Sequence, residues 1–324
     1  MTNTQSIKAA LTSAAAFLNT EESTLEAQLL LQHALNVNRA WSIAHENDAL
    51  QPNIHAAFEA LLKRRINGEP IAYILGVREF YGLKLKVTPD TLIPRPDTET
   101  LVEAALAKIP NPSFPRRRES SLTDTKNQNP LDSRLRGNDE GDGKFTILDL
   151  GTGTGAIALA IAHNRPQAFI TAVDASESAL KIAQENAQNL NITNIKFLQS
   201  DWFSALRLKN LALENMQQEN IMRKFDVIVS NPPYIAQGDA HLSQGDLRFE
   251  PISALASGSD GLNDIRKIID SAQLYLNPHG WLMLEHGYNQ AESVATLLKQ
   301  AGFTEVDHAL DLSGIRRVTL GRLI

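Results

Sequence analysis

The sequence predicts an α/β protein in which a doubly wound, mainly parallel sheet follows a small helical domain. Three observations support this prediction: apolar residues at helical spacing occupy the first part of the chain, strands and helices alternate from Phe145 onward, and a glycine-rich turn joins the first of these strands to its helix. Repeated alternation of this kind is typical of parallel sheets that are covered by helices on both faces.

Residues 1–69 are predicted to form the helical domain. Ser23 and Glu26 have the spacing of a capping box at a helix start, and a later apolar stripe ends at Asn67 and Gly68. Since this segment carries no catalytic-looking cluster of side chains, we interpret it as a substrate-recognition domain.

Residues 70–96 are expected to form a β-hairpin connector to the third region, residues 97–324. Leu83 and Leu85 alternate with lysines, as in a half-buried strand, and Gly82 is typical of a hairpin turn. The third region is predicted to hold the sheet.

Residues 110–143 interrupt the third region. They contain four prolines and few strongly apolar residues, and their six basic and six acidic side chains cancel. Such a stretch cannot bury enough apolar surface to offset its ordering entropy. We therefore predict a disordered insertion here, and a second, smaller polar insertion at residues 209–224.

The remainder of the third region divides into strands and helices of ordinary length. The predicted strands are Phe145–Leu150, Phe169–Val173, Ile195–Leu198, Phe225–Ser230, Trp281–Glu285, Thr304–His308 and Arg317–Leu320. The predicted helices are Ala156–Ala162, Ser176–Leu190, Asp264–Leu276 and Asn289–Ala301, after an earlier one at Thr98–Lys108.

Composition excludes several classes of function. The 324 residues are 43% apolar and 21% charged, as in soluble proteins, and the net charge of −6 argues against unaided binding of long duplex nucleic acid. Cysteine is absent and the eight histidines form no metal-binding pair, so we expect no metal. No apolar run reaches the about eighteen residues of a membrane span. We expect a cytoplasmic, monomeric protein without a membrane segment.

The glycine-rich turn runs from Gly151 to Gly155, directly after a strand that contains Asp149. Glycines let a ligand approach the backbone closely, and Asp174 ends the next strand, where a carboxylate can accept hydrogen bonds from ribose hydroxyls. This pattern is compatible with a nicotinamide cofactor and with S-adenosylmethionine.

A second motif, Asn231-Pro232-Pro233-Tyr234, follows a hydrophobic strand and therefore lies at the same edge of the sheet. The prolines lack N–H groups and stiffen the loop, so the loop offers carbonyl acceptors, to which the asparagine adds an oriented amide oxygen. These acceptors suit a planar NH2 group, on which Tyr234 can stack. The motif favours methyl transfer over hydride transfer.

On these motifs the sequence is similar to N-methyltransferases that act on planar amide or amino groups, and more closely resembles the HemK/PrmC family of peptide chain release factor glutamine methyltransferases. The further matching motifs are Gly68-Glu-Pro-Ile-Ala-Tyr-Ile-Leu-Gly76, Phe80-Tyr81-Gly82, Leu92-Ile-Pro-Arg95-Pro96-Asp97-Thr98-Glu99, Asp201-Trp202, Glu250-Pro251, Ala254-Leu255, Gly258 and Asp260-Gly261. The resemblance covers nearly the whole chain from Gly68, and it departs at residues 110–143 and in the polar stretch after Trp202.

The resemblance implies a Rossmann-like class I S-adenosylmethionine-dependent methyltransferase domain. Its substrate would be the glutamine side chain in the Gly-Gly-Gln tripeptide of class-1 release factors, and its second product S-adenosylhomocysteine. The implied cofactor-binding residues are Gly151, Thr152, Gly153, Thr154, Gly155, Asp174, Trp202 and Asn231. The implied substrate-binding residues are Asn231, Pro232, Pro233 and Tyr234, of which Asn231, Pro232 and Tyr234 are expected to be catalytic. The segment Pro94–Glu99 is expected to border the cofactor pocket.

Several alternatives stay open at this stage. A ribosomal-protein glutamine methyltransferase would use the same chemistry, and an adenine N6 methyltransferase acting on DNA or RNA would present the same NH2 geometry. The net acidity and the lack of a basic recognition domain count against the nucleic-acid substrate. A binding module without turnover is opposed by the intact motif at Asn231–Tyr234, and a nicotinamide oxidoreductase comes last.

Overall fold

The computed structural model describes residues 5–18, 20–110, 145–206 and 224–324. The predicted insertion at 110–143 lies outside the described residues except for Pro110, and the smaller one at 209–224 lies outside them except for Lys224. Contacts within the chain divide it into two compact units, one formed by Met1–Pro94 with Pro233–Asp264 and the other by Arg95–Pro232 with Ile265–Ile324. The grouping of Pro233–Asp264 with the N-terminal residues was not foreseen from the sequence.

The N-terminal part of the first unit is helical, as predicted. Its helices are α1 (Ile7–Phe17), α2 (Ser23–Leu35), α3 (Arg39–Ala44), α4 (Pro52–Ile66) and α5 (Ile71–Leu75). They bury one apolar core, whose most enclosed side chains include Leu30, Leu31 and Phe58. Burial of such side chains supplies most of the stability of short helices like these.

The capping box expected at the start of α2 is wrong. The helix does begin at Ser23, but its N-cap is Glu22, which makes no side-chain capping bond. The carboxylate of Glu26 instead forms a two-bond ion pair with Arg65 of α4, at 2.8 and 3.0 Å, and accepts a hydrogen bond from the Thr20 hydroxyl. A nearby cation outcompetes a backbone N–H because a bond between two charged groups is the stronger one.

Arg65 joins α2, α4 and the segment that follows Tyr234. Besides Glu26, its guanidinium contacts the Asp246 carboxylate at 3.0 Å and the Glu69 carbonyl at 3.1 Å. The side chains of Arg65 and Glu26 are only 11% and 10% exposed. This nearly buried pair links parts of the unit that are far apart in the chain.

Replacing Arg65 by methionine is expected to lower the free energy of unfolding by about 2 kcal/mol, because the Glu26 charge is left nearly buried without its partner. Chemical denaturation measures the loss. Arg64→Met is the matched control, since Arg64 lies on the same helix in a more exposed pair with Glu69 and should change stability by less than about 1 kcal/mol. Equal losses in the two variants would contradict the structural role given to Arg65.

The predicted hairpin is confirmed. Strands β1 (Val77–Phe80) and β2 (Leu83–Lys86) pair antiparallel, and Phe80 faces Leu83 across the turn. Both turn residues, Tyr81 and Gly82, have positive φ values of 52° and 77°, as in the primed turns that match the twist of paired strands.

The second unit contains a seven-stranded sheet with the order β5-β4-β3-β6-β7-β9-β8. Strands β3 to β7 run parallel, and β9 pairs antiparallel with both β7 and β8. The strands are β3 (Thr146–Leu150), β4 (Phe169–Asp174), β5 (Ile195–Gln199), β6 (Phe225–Ser230), β7 (Leu276–Glu285), β8 (Thr304–Leu310) and β9 (Arg316–Arg322). The predicted doubly wound, mainly parallel sheet is therefore confirmed.

Helices accompany this sheet as the alternation predicted. They are α6 (Glu99–Lys108), α7 (Ala156–Asn164), α8 (Glu177–Asn189), α9 (Asn263–Tyr275, of which the residues from Ile265 belong to this unit) and α10 (Ala291–Gln300). Strand β7 begins at Leu276 rather than at the predicted Trp281, because Leu276 also pairs with Phe225 of β6, and a register shift separates this pair from that of Val227 with Trp281. No helix within the described ranges is long and apolar enough to cross a bilayer.

The strand order reverses at β3, which has β4 on one side and β6 on the other. In open parallel sheets, ligands bind beyond the carboxyl ends of the strands at such a reversal. The glycine-rich turn follows β3 and Asn231 follows β6, so both motifs lie at this point of the sheet.

Candidate active site

The glycine-rich turn wraps tightly over the ends of β3 and β4. The backbone N–H groups of Gly151 and Thr152 both donate to the Val173 carbonyl, each at 2.9 Å. Gly153 has φ of 55°, and a Cβ built on it would meet nothing within 4 Å. Gly155 has φ of 84°, and a Cβ there would lie 3.0 Å from the Leu159 side chain. The left-handed backbone therefore favours glycine at both positions, and open space lies beside Gly153.

Two buried side chains support the turn from below. The hydroxyl of Thr152 donates to Asp149 Oδ2 at 2.6 Å, and the amide of Asn186, on α8, donates to the Thr154 carbonyl at 3.0 Å. Asn186 is 1% exposed. This contact could not be predicted from the sequence, because Asn186 is one of several polar residues on an amphipathic helix and nothing in the pattern distinguishes it.

Asp149 is fully buried in the last part of β3. Burial disfavours the charged carboxylate and, with the nearby charge of Asp174, raises the pKa of Asp149 to about 7, although the Thr152 hydrogen bond works in the opposite direction. Its Oδ1 atom has no hydrogen-bond partner among the described residues.

Asp174 ends β4, and its carboxylate accepts hydrogen bonds from the backbone N–H groups of Gly153, Ala175 and Ser176. Its Oδ2 accepts from Gly153 and its Oδ1 from Ser176, both at 2.8 Å. Burial raises the pKa of Asp174, and these backbone hydrogen bonds work against that rise. A carboxylate has about four acceptor positions, so Asp174 is oriented by the turn and keeps capacity for a further donor.

Trp202 lies against the start of the glycine-rich turn. A Cβ built on Gly151 would approach the Trp202 ring at 3.4 Å. The backbone of Trp202 has φ of 47°, a conformation that costs a bulky residue energy and is found more often at functional sites. The structure thus brings Trp202, Asp174 and the glycine-rich turn to one end of the sheet.

Asn231 is held by its own side chain and by that of the residue before it. The preceding Ser230 hydroxyl donates to the Leu150 carbonyl at 2.7 Å, so the ends of β6 and β3 are joined immediately before the two motifs begin. The amide nitrogen of Asn231 donates to the Thr98 hydroxyl at 3.1 Å. Because the amide nitrogen points at Thr98, the amide oxygen points away from it and is left as an acceptor.

The division between the two units falls inside the motif Asn231–Tyr234, between Pro232 and Pro233. In the first unit, the residues after Tyr234 are anchored by a short parallel bridge between Ile235 and Ala256, and Ile235 N–H donates to the Leu255 carbonyl at 2.9 Å. The Glu250 carboxylate accepts from the Ile93 backbone N–H at 3.0 Å. Leu255 and Ala256 therefore hold the backbone that follows Tyr234, and Glu250 holds that of Ile93.

The residues at the end of the sheet fit S-adenosylmethionine. The open space beside Gly153 admits a ligand to the backbone, Asp174 keeps acceptor capacity for a ribose hydroxyl, and the Trp202 ring offers a flat apolar surface. Within the described ranges, no group of three or more metal-binding side chains is placed to hold a metal ion.

Comparison with known proteins agrees with this geometry. Residues 142–311 match the family described as "Methyltransferase domain" and residues 9–76 match "PrmC N-terminal domain". The catalytic domain of hMettl16, solved in complex with MAT2A 3′UTR hairpin 6, shares the fold with a TM-score of 0.50 at 16% identity, over 82% of each chain. The fold and site define a Rossmann-like methyltransferase that uses S-adenosylmethionine.

Full-length relatives identify the family. A release factor glutamine methyltransferase of Bordetella pertussis is 43% identical over 299 residues, which cover 92% of this chain and 94% of the relative. The release factor glutamine methyltransferase of Escherichia coli is 43% identical over 302 residues, which cover 93% of both chains. The chain belongs to the release factor glutamine methyltransferase family.

Proposed function

We propose that this protein transfers the methyl group of S-adenosylmethionine to the side-chain amide nitrogen of the glutamine in the Gly-Gly-Gln tripeptide of class-1 release factors. Membership of the release factor glutamine methyltransferase family supports the substrate. The observation on which the chemistry rests is the orientation of Asn231, whose amide oxygen is left free to accept from an NH2 group because its amide nitrogen is bonded to Thr98.

In this proposal the cofactor is held by the residues that surround the end of β3. The turn from Gly151 to Gly155 borders it, Asp174 accepts from a ribose hydroxyl, and Trp202 lies beside its adenine. When bound, S-adenosylmethionine supplies an electrophilic methyl group and leaves as S-adenosylhomocysteine after the transfer.

The protein's own residues act on the substrate amide, which is a poor nucleophile because its lone pair is delocalised into the carbonyl. Asn231 Oδ1 and the Pro232 carbonyl accept the two N–H bonds of the glutamine, and Pro233 and Tyr234 hold the plane of the amide. Alignment of a reacting nitrogen in this way lowers the barrier by several kcal/mol. The two acceptors also polarise the N–H bonds, and this stabilises the positive charge that develops on the nitrogen as it bonds to the methyl group. We expect the proton to leave to water after the transfer.

The test uses methyl-labelled S-adenosylmethionine with four separate acceptors: a release factor, the same release factor with its Gly-Gly-Gln glutamine replaced by asparagine, a ribosomal-protein mixture and duplex DNA. We expect label on the unaltered release factor alone. Label only on ribosomal proteins would favour the alternative protein substrate, and label only on DNA would contradict the proposal. Because we expect no metal requirement, a chelator should leave the rate unchanged.

Two further expectations belong to the proposal. We expect the protein to act as a monomer, since each chain carries the glycine-rich turn and the Asn231 motif of one complete reaction. We also expect it to work in the cytoplasm, where newly made release factors are found. The helical residues 1–69 are proposed to recognise the release factor.

A further inference from the structure

The turn between β8 and β9 carries a cluster of exposed apolar side chains. In this turn Leu312 is fully exposed, Leu310 is 57% exposed and Ile315 is 37% exposed. A fourth residue, Tyr288, follows the end of β7 and is 71% exposed. Single apolar residues on a surface are ordinary, whereas a group of them is typical of a surface that binds a partner. These four side chains are together called the apolar tip.

The apolar tip lies at the carboxyl edge of the sheet. Strands β6 and β7 run parallel and end at this edge, and β9 runs antiparallel to both β7 and β8. The turn that joins β8 to β9 is therefore at the same edge. The His286 N–H donates to the Arg317 carbonyl at 3.0 Å, and Tyr288 and Ile315 each lie two residues beyond this bond. Both side chains thus leave neighbouring strands at one place.

The backbone of the turn is fixed by the carboxylate of Asp311. This carboxylate accepts hydrogen bonds from the backbone N–H groups of Ser313 and Ile315, both at 2.9 Å. It also accepts from Arg317 Nε at 3.1 Å. The Asp311 N–H in turn donates to the Ile315 carbonyl at 2.8 Å. The apolar tip is therefore presented on an ordered turn, which loses little conformational freedom when a partner binds it.

The distance from the proposed site to the apolar tip suits a protein substrate. Asn231 follows β6, and β9 is the second strand from β6 in the sheet. Because neighbouring strands lie about 4.8 Å apart, β9 is about 10 Å from β6 across the sheet. A protein interface buries about 800 Å² on each partner, and a patch of that area extends about 15 Å from its centre. A release factor whose glutamine meets Asn231 therefore covers the edge at which the apolar tip lies.

The size of the apolar tip argues against a second copy of this chain as its partner. Four side chains with these exposures offer on the order of 500 Å² of surface, which is less than the about 800 Å² that each partner buries in a stable complex. The tip is thus too small to hold two chains together by itself. It is large enough to extend an interface that is centred on Asn231.

We propose that the apolar tip is a docking surface for the release factor, which binds it through apolar side chains that flank the Gly-Gly-Gln tripeptide. This inference rests on the proposed function, since it takes the release factor as the substrate. The tip adds a contact to the one proposed for residues 1–69, so its loss weakens binding without abolishing it. It contributes to binding rather than to the chemical step, because its side chains are not those proposed to hold the cofactor or the substrate amide.

The test compares the double variant Leu312→Ser/Ile315→Ser with Leu274→Ser. Leu274 is the matched control, because it is an exposed leucine near the end of α9, just before β7 begins, and therefore lies at the opposite edge of the sheet. Binding of the full-length release factor is measured by calorimetric titration in the presence of S-adenosylhomocysteine. We expect the dissociation constant to rise about tenfold in the double variant and to stay within about twofold of the wild type in the control.

Steady-state kinetics separate docking from chemistry. In the double variant we expect kcat/KM for the release factor to fall about tenfold, with kcat and the affinity for S-adenosylmethionine unchanged. An unchanged dissociation constant, or an equal rise in Leu274→Ser, would overturn the proposal. A wild type that dimerises at the assay concentration and becomes monomeric in the double variant would overturn it as well, in favour of a second copy as the partner.

Failure of the proposed function is distinguishable from failure of this inference. A wild type that binds the release factor without methylating it would refute the proposed function, and the comparison of dissociation constants would still decide the role of the apolar tip. A wild type that does not bind the release factor would refute the docking surface. If the double variant does not fold, Leu312→Ser alone carries the same comparison.

Discussion

Asn231→Ala should lower kcat for methylation of the release factor by at least about a hundredfold and change the affinity for S-adenosylmethionine by less than about threefold. The reason is geometric. Asn231 follows Ser230, which is bonded to the end of β3, and its side chain is hydrogen-bonded to Thr98; in the proposed function its oxygen accepts one N–H bond of the glutamine. Alanine removes this acceptor, whereas the cofactor contacts proposed for the glycine-rich turn and Asp174 are retained.

The measurement pairs steady-state kinetics with calorimetric titration of S-adenosylmethionine. Asn189→Ala is the matched control, because Asn189 is an exposed asparagine at the end of α8 in the same unit. Its substitution should leave kcat and the affinity for S-adenosylmethionine unchanged. If Asn231→Ala lost cofactor affinity and turnover in equal proportion, Asn231 would be a cofactor-binding or folding residue and its assignment as the substrate acceptor would fail.

Asp149→Asn should flatten the pH dependence of the unfolding free energy between about pH 4 and pH 8. In the unfolded chain this carboxyl ionises near its ordinary pKa of 3.8, whereas burial raises the pKa of Asp149 in the folded protein to about 7. The protonated Asp149 side chain therefore adds up to roughly 4 kcal/mol to the free energy of unfolding. This contribution is fully present below about pH 4 and is lost as the pH rises through about 7. Asparagine does not ionise, so the variant lacks this loss.

Chemical denaturation of wild type and Asp149→Asn at several pH values isolates the effect, because every other titrating group is common to both. Glu177→Gln serves as the control: Glu177 is exposed on α8, and its hydrogen bond and ion pair with Lys181 lower its pKa, so its contribution has the opposite sign and is screened by solvent. Identical pH profiles for the wild type and Asp149→Asn would show that Asp149 is ionised throughout the range.

Much of the fold was predictable because its signals are local. The alternation of apolar runs and helical stripes from Phe145 placed every strand of the sheet, with the largest error at the start of β7, where an earlier pair with β6 is separated from the rest by a register shift. The hairpin at Phe80–Leu83 followed from its turn residues in the same way. The capping box at Ser23 failed because Glu26 is used by Arg65, a residue on another helix.

The sequence by itself determined the class of fold, the glycine-rich turn, the motif from Asn231 to Tyr234 and the family resemblance, because periodicity and turn chemistry depend on residues that are neighbours in the chain. Only the tertiary structure decided which distant groups act together. Thr98 and Asn231 are 133 positions apart, and Arg65 and Asp246 are 181 apart. Threonine, arginine and aspartate occur throughout the sequence, and only packing determines which of them meet and which, like Asp149, are removed from water.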